Sequence, residues 1–273
     1  MLRVNYQQLF GADLGLIVRE FLREKETLVR GLAHPMLFQD GGSGGQFEQG
    51  QFTTMNNRDN NERTKESSNS IREIFTKFGA VEVSPSSIFQ LLQRNETVLL
   101  FPGGVREAYH GKGEDYALFW PERVDFVRMA GLFGATIVPF AAIGIADSVD
   151  IILDSEEILK VPILGDRAKR FNKNVPSARA GIQDNFISPI AVPKLPSRCY
   201  FLFEESYDTR EIDIYDKVKC AEIYSCVKGR VKDGIETLKR FREEDPYNNF
   251  FRRTAYESIM KKQAPTAPLN LKV

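Results

Sequence analysis

The chain has 273 residues, of which 42% are hydrophobic and 27% charged, so it can bury a full core and is predicted to form one large globular domain. Its 37 basic and 37 acidic residues cancel, and no long block of like charge occurs, which argues against a nucleic-acid partner. The three cysteines, Cys199, Cys220 and Cys226, are odd in number and not closely paired, which favours a reducing compartment and argues against a zinc site.

Apolar runs that fit strands alternate with amphipathic helical segments along residues 1–262. This alternation predicts a three-layer α/β fold with a mostly parallel or mixed central sheet flanked by helices. The polar segment 41–70 is predicted to be a mobile loop inserted in this domain, because it has too few apolar residues to offset its ordering entropy. Residues 263–273 are predicted to form a tail. The first predicted elements are strands at 2–6, 27–33, 81–83 and 97–101, and helices at 13–25, at 70–78 and from 85 onward, the last capped by Ser84.

The second half of the chain has a less regular pattern. An uncharged run at 129–146 is long enough to cross a membrane, but Gly131, Gly134 and Pro139 interrupt it, so we predict a helix end and a buried strand, with shallow membrane contact as the alternative. The segment 161–196 is rich in proline and predicts no single element; a lid and a hairpin both fit. The other predicted elements are an aromatic loop at 109–121, helices at 122–133, 149–160, 213–242 and 247–262, and strands at 136–143 and 198–204, with the helix at 213–242 interrupted near Gly229 and Gly234.

Several common functional signatures are missing from the sequence. The first residues resemble neither a secretory signal nor a transit peptide, so we expect no organelle address on this chain. A G-x-S-x-G pattern at 41–45 lies in the polar loop, whereas a nucleophile elbow needs a buried strand before it and a helix after it. No Walker spacing occurs, which argues against nucleoside triphosphate chemistry.

The strongest functional signal is a bend at Pro102, Gly103 and Gly104, called the glycine corner below, which ends the apolar strand predicted at 97–101. Two adjacent glycines lack the Cβ atoms that keep a ligand away, so consecutive backbone N–H groups can point at a phosphate or a developing oxyanion. An ordinary tight turn between a strand and a helix is the alternative, and the residue types leave both open.

Charged and titratable residues follow the corner at once. Arg106 can offer a forked cationic partner to a phosphate or carboxylate, and Glu107 can orient it or cap a helix; solvated surface charges are the alternative. Of the two histidines, His110 lies in the loop after the corner and is a candidate functional residue. His34 precedes a proline and is more typical of a turn.

Three stretches carry a resemblance to a known family. They are FPGGVREAYHGKGEDYALFWPE at 101–122, FVRMAGLFGATIVPFAAIG at 126–144 and FLREKETLVRGLAHPMLF at 21–38. Together they resemble the acyltransferase half of the plant phytyl ester synthases, which is similar in turn to the diacylglycerol acyltransferases among the wider glycerolipid acyltransferases. The resemblance is collinear over most of residues 1–260, with the polar loop as an insertion.

The resemblance implies transfer of a fatty acyl group to a lipid alcohol such as phytol or diacylglycerol. The donor would be acyl-CoA, acyl-carrier protein or a plastid lipid, with no bound cofactor. A plastid location follows, at a plastoglobule or thylakoid surface, with peripheral contact to a membrane or lipid droplet. The corner loop would hold the donor phosphates or the oxyanion, and these binding roles fall on Pro102, Gly103, Gly104 and Arg106, with Glu107 beside them.

The sequence departs from the family at the catalytic base. The family has a histidine in a stretch like Val-Gly-Asn-His-x-Leu-Leu-Gly, and the matching segment 4–11, VNYQQLFG, has Gln7 there. An amide can hold a hydroxyl group but cannot take its proton, and losing general-base catalysis costs about 100-fold to 10,000-fold in rate. The predicted catalytic set is therefore Gln7, Asp13 as the acidic partner, and His110, or else His34, as a substitute base.

Two alternatives to an active acyltransferase remain from the sequence. The chain is a non-catalytic lipid-binding or acyl-binding paralogue if the pocket persists without the base. It is a fragment or a shortened gene product if the α/β-hydrolase domain, which precedes this one in the family, belongs ahead of Met1.

Overall fold

A computed structural model of the chain describes residues 1–5, 13–38, 73, 75–173, 175 and 187–266. The segment predicted as a polar loop, 41–70, and the G-x-S-x-G pattern within it lie outside the described residues. The predicted helix at 70–78 is described at residues 73 and 75–78, of which 73 and 75–77 are helical and 78 is in a turn.

Among the described residues, strands and helices alternate as predicted for an α/β fold, which confirms the fold class. The strands are β1 Leu2–Val4, β2 Val29–Ala33, β3 Val81–Glu82, β4 Thr97–Leu100, β5 Ile137–Ile143, β6 Val149–Leu153, β7 Ile190–Pro193 and β8 Tyr200–Phe203. The helices are α1 Asp13–Lys25, α2 Pro85–Gln93, α3 Val105–Ala108, α4 Asp125–Leu132, α5 Ser155–Lys160, α6 Leu164–Lys173, α7 Lys217–Glu244 and α8 Phe250–Met260, with short 3-10 turns at Pro35–Phe38 and Ala146–Ser148.

The central sheet has the strand order β3-β2-β4-β1-β5-β8 in the described part of the chain. Strands β1 to β5 are parallel to their neighbours, and β8 runs antiparallel to β5 at one edge. Every residue of β5 is buried, as expected for an inner strand covered on both faces. This mixed, mostly parallel sheet confirms the predicted architecture.

Alternating side chains of the inner strands fill two cores, one on each face of the sheet. On one face, α7, α2 and α4 cover a large cluster that includes Leu2 and Val4 of β1. On the other face, α1 packs Ile17, Val18 and Phe21 against residues of β4 and β5. The sheet is therefore the middle of three layers, as predicted.

The longest helix, α7, runs without a break through Gly229 and Gly234, so the predicted interruption is wrong. A glycine inside a helix costs about 1 kcal/mol, and burial of the apolar side of α7 over β5 offsets this. A Cβ on Gly234 would lie 2.9 Å from the Cβ of Ala141 in β5. Glycine at position 234 lets α7 approach the sheet closely. The role of Gly234 is therefore determined by a contact with β5, which is distant from it in the sequence.

The prediction of a helix at 149–160 is also wrong for the first half of that range. Residues Val149–Leu153 form β6, which pairs antiparallel with β7, and only Ser155–Lys160 is helical. Asp154 caps that helix and forms a capping box with Glu157. The unpatterned segment 161–196 contains α6 and β7, and β7 pairs with β6, which lies before this segment. The lid and the hairpin within 161–196 therefore stay predictions.

The end of the described chain is held to β8 by a buried polar cluster. Arg198 is 7% exposed and pairs with Asp245, whose Oδ2 also accepts a hydrogen bond from the Tyr200 hydroxyl at 2.6 Å. The Arg198 guanidinium also donates to the carbonyl oxygens of Ala264 and Pro265. Ala264 and Pro265, beyond α8, are thereby held next to the start of β8.

None of the helices in the described part of the chain is long and apolar enough to cross a membrane. The uncharged run at 129–146 divides into the end of α4, a turn and β5, as predicted.

Candidate active site

The carboxyl ends of β1, β2, β4 and β5 meet at one edge of the sheet because these strands are parallel. From β2 the chain continues outward to β3, whereas from β4 it crosses β1 to reach β5, so the two connections leave in opposite directions. Ligands of open α/β sheets bind outside the carboxyl ends of the strands at such a point. The topology therefore favours a site formed by the residues that follow β2 and β4, namely His34 and the glycine corner.

The corner is a compact turn between β4 and α3. Pro102 and Gly103 are buried, and Gly104 has a φ of 53°, a backbone conformation that glycine adopts without strain. The N–H of Gly104 donates to the carbonyl oxygen of Phe101 at 3.1 Å. In this conformation the Gly104 N–H is therefore used inside the turn and does not point at a ligand.

Glu107 is turned inward at the first turn after the corner. Its side chain is 0% exposed, and its Oε1 accepts a hydrogen bond from the backbone N–H of Phe119 at 2.9 Å. A Cβ on Gly103 would lie 2.0 Å from the carboxyl carbon of Glu107. The glycine thus makes room for this carboxyl group, which ties the aromatic loop at 109–121 to the corner and does not orient Arg106.

Arg106 takes its partner from further along the loop. Its guanidinium forms two hydrogen bonds with the Glu114 carboxylate, at 2.8 and 2.6 Å, and lies over the ring of Phe119, 3.6 Å from the centroid. The hydrogen bond from Arg106 is the main cause that lowers the pKa of Glu114. Arg106 is still half exposed, so an anionic donor group can reach it if it competes with Glu114.

His110 lies inside the loop, 0% exposed, with an acceptor facing each ring nitrogen. Its Nδ1 is 2.8 Å from the carbonyl oxygen of Glu107, and its Nε2 is 3.1 Å from Oδ1 of Asp115. Since a carbonyl oxygen can only accept, Nδ1 carries a proton and donates it. A role for His110 as a base requires its contact with Asp115 to open, because that contact occupies the other nitrogen.

His34 lies at the carboxyl end of β2, next to β4 in the sheet. Its Nδ1 accepts a hydrogen bond from the Met36 backbone N–H at 3.2 Å, which makes Nδ1 the unprotonated nitrogen. The Met36 side chain packs against Ala108 and Tyr109 of the corner loop. The structure therefore brings the His34 turn beside the corner, for a histidine that the sequence had interpreted mainly as a turn residue and, through the family resemblance, as a substitute base.

Asn5 is a further candidate that the sequence analysis did not single out. It follows β1, donates its backbone N–H to the carbonyl oxygen of Leu100 at 3.2 Å, and thus lies beside the residues that lead into the corner. Its side chain is 0% exposed, and neither Nδ2 nor Oδ1 has a hydrogen-bond partner among the described residues. Burying an amide without hydrogen bonds costs about 1–3 kcal/mol, which makes this group a candidate to bind a polar group of a ligand.

A polar network closes the same edge of the sheet at the end of β5. The Tyr116 hydroxyl accepts from the Gly144 N–H at 3.0 Å and donates to Asp147, whose carboxylate also binds Arg242 of α7. Burial, followed by the neighbouring Asp147 carboxylate, raises the pKa of Tyr116. Tyr116 therefore stays a neutral structural hydroxyl, and the aromatic loop is fixed to both β5 and α7.

The other predicted catalytic residues are described only in part or not at all. Gln7 lies outside the described residues. Asp13 is the first residue of α1, as predicted, and its side chain is outside the description. Within the described ranges no group of three or more potential metal ligands is found, and the three cysteines are free thiols.

Comparisons with known proteins point to one family. A model of the diacylglycerol acyltransferase family matches residues 65–169, which include the corner and its loop. Phytyl ester synthase 1, chloroplastic, of Arabidopsis thaliana is 36% identical over 265 residues, and phytyl ester synthase 2, chloroplastic, of the same plant is 38% identical over 268 residues. Each alignment covers 94% of this chain but only 34% and 35% of the two relatives, so the chain spans about a third of their length. No solved structure matches the chain significantly.

Proposed function

Because this chain is similar to two phytyl ester synthases over 94% of its length and matches the diacylglycerol acyltransferase family model at 65–169, we propose that it is an O-acyltransferase that moves a fatty acyl group to a lipid alcohol. These similarities confirm the resemblance predicted from 21–38, 101–122 and 126–144. The names of the two relatives and of the family model favour phytol or diacylglycerol as the alcohol and a plastid location.

The proposed reaction is attack of the alcohol oxygen on the carbonyl carbon of an acyl thioester or lipid ester. The carbonyl carbon becomes tetrahedral, its oxygen gains negative charge, and the leaving group departs as the ester forms. The site must therefore bind the donor, stabilise the oxyanion and remove the hydroxyl proton. Acyl-CoA and acyl-carrier protein are the proposed donors, and neither is a bound cofactor.

One observation carries the assignment to the edge of the sheet: the buried, unpaired amide of Asn5 lies beside the strand that leads into the glycine corner. Its Nδ2 is a donor suited to the oxyanion, and its Oδ1 is an acceptor suited to a hydroxyl group. Arg106, with Gly103 and Gly104 next to it, is proposed to meet the donor's phosphates or carboxyl group. Pro102 and Glu107 hold this turn in shape.

The remaining part of the proposed site is the group that accepts the hydroxyl proton. Gln7 occupies the position at which the family resemblance places a histidine, and a glutamine cannot accept the proton. Both described histidines have Nδ1 engaged with backbone groups of their own turns. We therefore propose low intrinsic activity, with Gln7 holding the hydroxyl group, Asp13 near it, and His110 or His34 acting only if its turn opens.

The test is an acyl-transfer assay on the purified chain with phytol and with diacylglycerol, using acyl-CoA and acyl-carrier protein as donors. The Gln7→His variant should form ester about 100-fold to 10,000-fold faster than the wild type, since it restores general-base catalysis. Gln8→His is the matched control and should not gain activity. If no variant forms ester while an Arabidopsis relative does so in the same assay, the catalytic proposal is wrong. Retained acyl-CoA binding in that case would identify a non-catalytic acyl-binding protein.

A further inference from the structure

Helices α5 and α6 form a helical hairpin, residues 155–173, that stands next to the candidate active site. Phe171 of α6 packs against the cluster of Met36, Ala108 and Tyr109 beside the corner. Lys112 of the corner loop forms an ion pair with Glu157 of α5 at 2.6 Å. The hairpin is therefore attached to the corner loop through both of its helices.

The tip of this hairpin exposes aliphatic side chains to water. Ile163 is 71% exposed, and its neighbours Val161 and Leu164 are 38% and 37% exposed. Ile163 also has a φ of 69°, a conformation in which a β-branched residue is strained. The exposed side chain of Ile163 gains no free energy of burial within this chain that would offset the strain of its turn. Its position is therefore better explained by burial against another surface.

The tip and its α6 flank are basic, although the whole chain has no net charge and the first turn of α5 carries Glu156 and Glu157. Between residues 160 and 173 there are five basic residues and one acidic residue, so this short segment has a net charge of about four positive units at neutral pH. The basic side chains are all exposed: Lys160, Arg167, Lys169, Arg170 and Lys173. An aliphatic tip with a basic surround is complementary to a lipid surface with anionic headgroups, where apolar groups enter the interface and each cation is attracted.

We propose that the α5–α6 hairpin docks this protein onto a membrane surface that contains anionic lipids, with Ile163 and Leu164 inserted at the level of the headgroups. The inference rests on the proposed function in that the substrates are lipids. Docking at this hairpin brings the lipid surface to the side of the corner loop, so a long-chain alcohol or acyl donor can reach the site without crossing water. The free energy gained by burying the tip offsets the strained backbone of Ile163.

The segment between β5 and β8, which contains the hairpin, exposes further aliphatic side chains. Ile152 of β6 is 50% exposed, and Ile190 and Val192 of β7 are each 44% exposed. These side chains belong to the segment that leaves the sheet after β5 and returns at β8. The surface of this segment is therefore more apolar than expected for a surface that contacts only water.

The first test replaces the inserted residue without weakening the fold. Asparagine adopts a positive φ more readily than isoleucine, so Ile163→Asn should keep or raise the thermal unfolding temperature. In co-sedimentation with vesicles of phosphatidylcholine and phosphatidylglycerol, this variant should bind about tenfold more weakly than the wild type, because the aliphatic insertion is lost. Ile259→Asn is the matched control, since Ile259 is 78% exposed on α8, outside the hairpin, and this variant should bind as the wild type does.

The second test removes the charge. The double variant Arg167→Gln, Arg170→Gln should lose about fivefold in vesicle affinity per charge, and only on vesicles that contain phosphatidylglycerol. Added salt should weaken wild-type binding to these vesicles in the same way. Lys232→Gln with Arg240→Gln on α7 is the control that removes the same charge from another helix, and it should leave binding unchanged.

Two outcomes would overturn the docking proposal. One is unchanged vesicle binding by both hairpin variants. The other is a wild-type dimer in solution that Ile163→Asn converts to a monomer, since the tip would then be a contact between two copies of the chain. Vesicle binding is measured without turnover, so a protein that docks through the hairpin but forms no ester contradicts the proposed function and supports the docking surface.

Discussion

Glu107 and Gly103 occupy one shared space at the glycine corner, where the carboxyl carbon of Glu107 lies 2.0 Å from the point a Cβ on Gly103 would take. A corner glycine therefore has a structural role here, in addition to any contact with a ligand. The buried Glu107 carboxylate accepts from Phe119 and fixes the loop that carries Arg106 and His110. The shape of the candidate site depends on this contact.

Substitution of Gly103 tests the contact. Gly103→Ala should lower the free energy of unfolding by about 1–3 kcal/mol in urea denaturation, because the new methyl group displaces the buried Glu107 side chain. Gly229→Ala is the control, since nothing lies within 4 Å of its added Cβ, and it should raise stability by about 1 kcal/mol inside α7. In the background of Glu107→Ala the cost of Gly103→Ala should shrink, and equal costs in both backgrounds would contradict the shared-space explanation.

Substitution of Asn5 distinguishes a ligand-binding role of its side-chain amide from a structural role. Asn5→Leu replaces an unpaired buried amide with an apolar side chain of similar size, so the free energy of unfolding should stay the same or rise by about 1 kcal/mol. Ester formation, or acyl-CoA binding where turnover is absent, should fall about tenfold, because a buried hydrogen bond to the ligand is lost. Titration calorimetry and urea unfolding measure the two effects on the same samples.

Thr209→Val is the matched comparison for Asn5→Leu. Thr209 is also 0% exposed, but its hydroxyl donates to the carbonyl oxygen of Ala135 at 2.8 Å. Loss of this satisfied hydrogen bond should destabilise the protein by about 1 kcal/mol and leave ligand binding unchanged. A large loss of stability in Asn5→Leu would mean that the Asn5 amide has a structural partner, and its proposed ligand role would fail.

The pair of Arg106 and Glu114 should give a pH-dependent contribution to stability. The Glu114 pKa is lowered in the folded protein, so the carboxylate stabilises the fold above its unfolded pKa of about 4.3 and loses this effect as the pH falls through its lower folded value. The difference in unfolding free energy between wild type and Glu114→Gln should be largest at neutral pH, at about 1 kcal/mol or less for a partly exposed pair, and should vanish in strong acid.

The buried Trp120, at the end of the same loop, provides the fluorescence signal for these pH-dependent unfolding curves. Glu236→Gln is a suitable control, because Glu236 forms an exposed pair with Lys239 on α7 for which no effect on the loop is expected. A difference for Glu114→Gln that grows toward acid pH would contradict the assigned direction of the Glu114 pKa.

The parts of the fold that sequence predicted well are those whose signals are local. Ser84 accepts from the Ser87 N–H and Pro85 occupies the first helical position, so the start of α2 is set within four residues. The apolar run of β5 is bounded by turns at both ends and needs no distant partner to be recognised. The apolar run before Pro102 likewise placed the corner correctly at the end of a buried strand.

The parts that sequence could not predict depend on distant contacts. Gly234 is compatible with a continuous α7 because Ala141 of β5 packs against it, and β6 is a strand because β7 pairs with it. At the candidate site, Glu114 was not predicted as the partner of Arg106, since the seven residues between them run from the end of α3 into an irregular loop without periodicity. The inward direction of Glu107 was likewise not visible, because only the fold brings Phe119 within reach.

The position of β1 has a consequence for how this protein reaches its native state. Leu2 pairs in the sheet with Val98 and with Ile137, so β1 is synthesised well before both of the strands that flank it. Such long-range pairing slows folding, and on the ribosome the exposed β1 is open to wrong partners until β5 has emerged. Efficient production of this protein should therefore benefit from slow synthesis and from chaperones that shield β1.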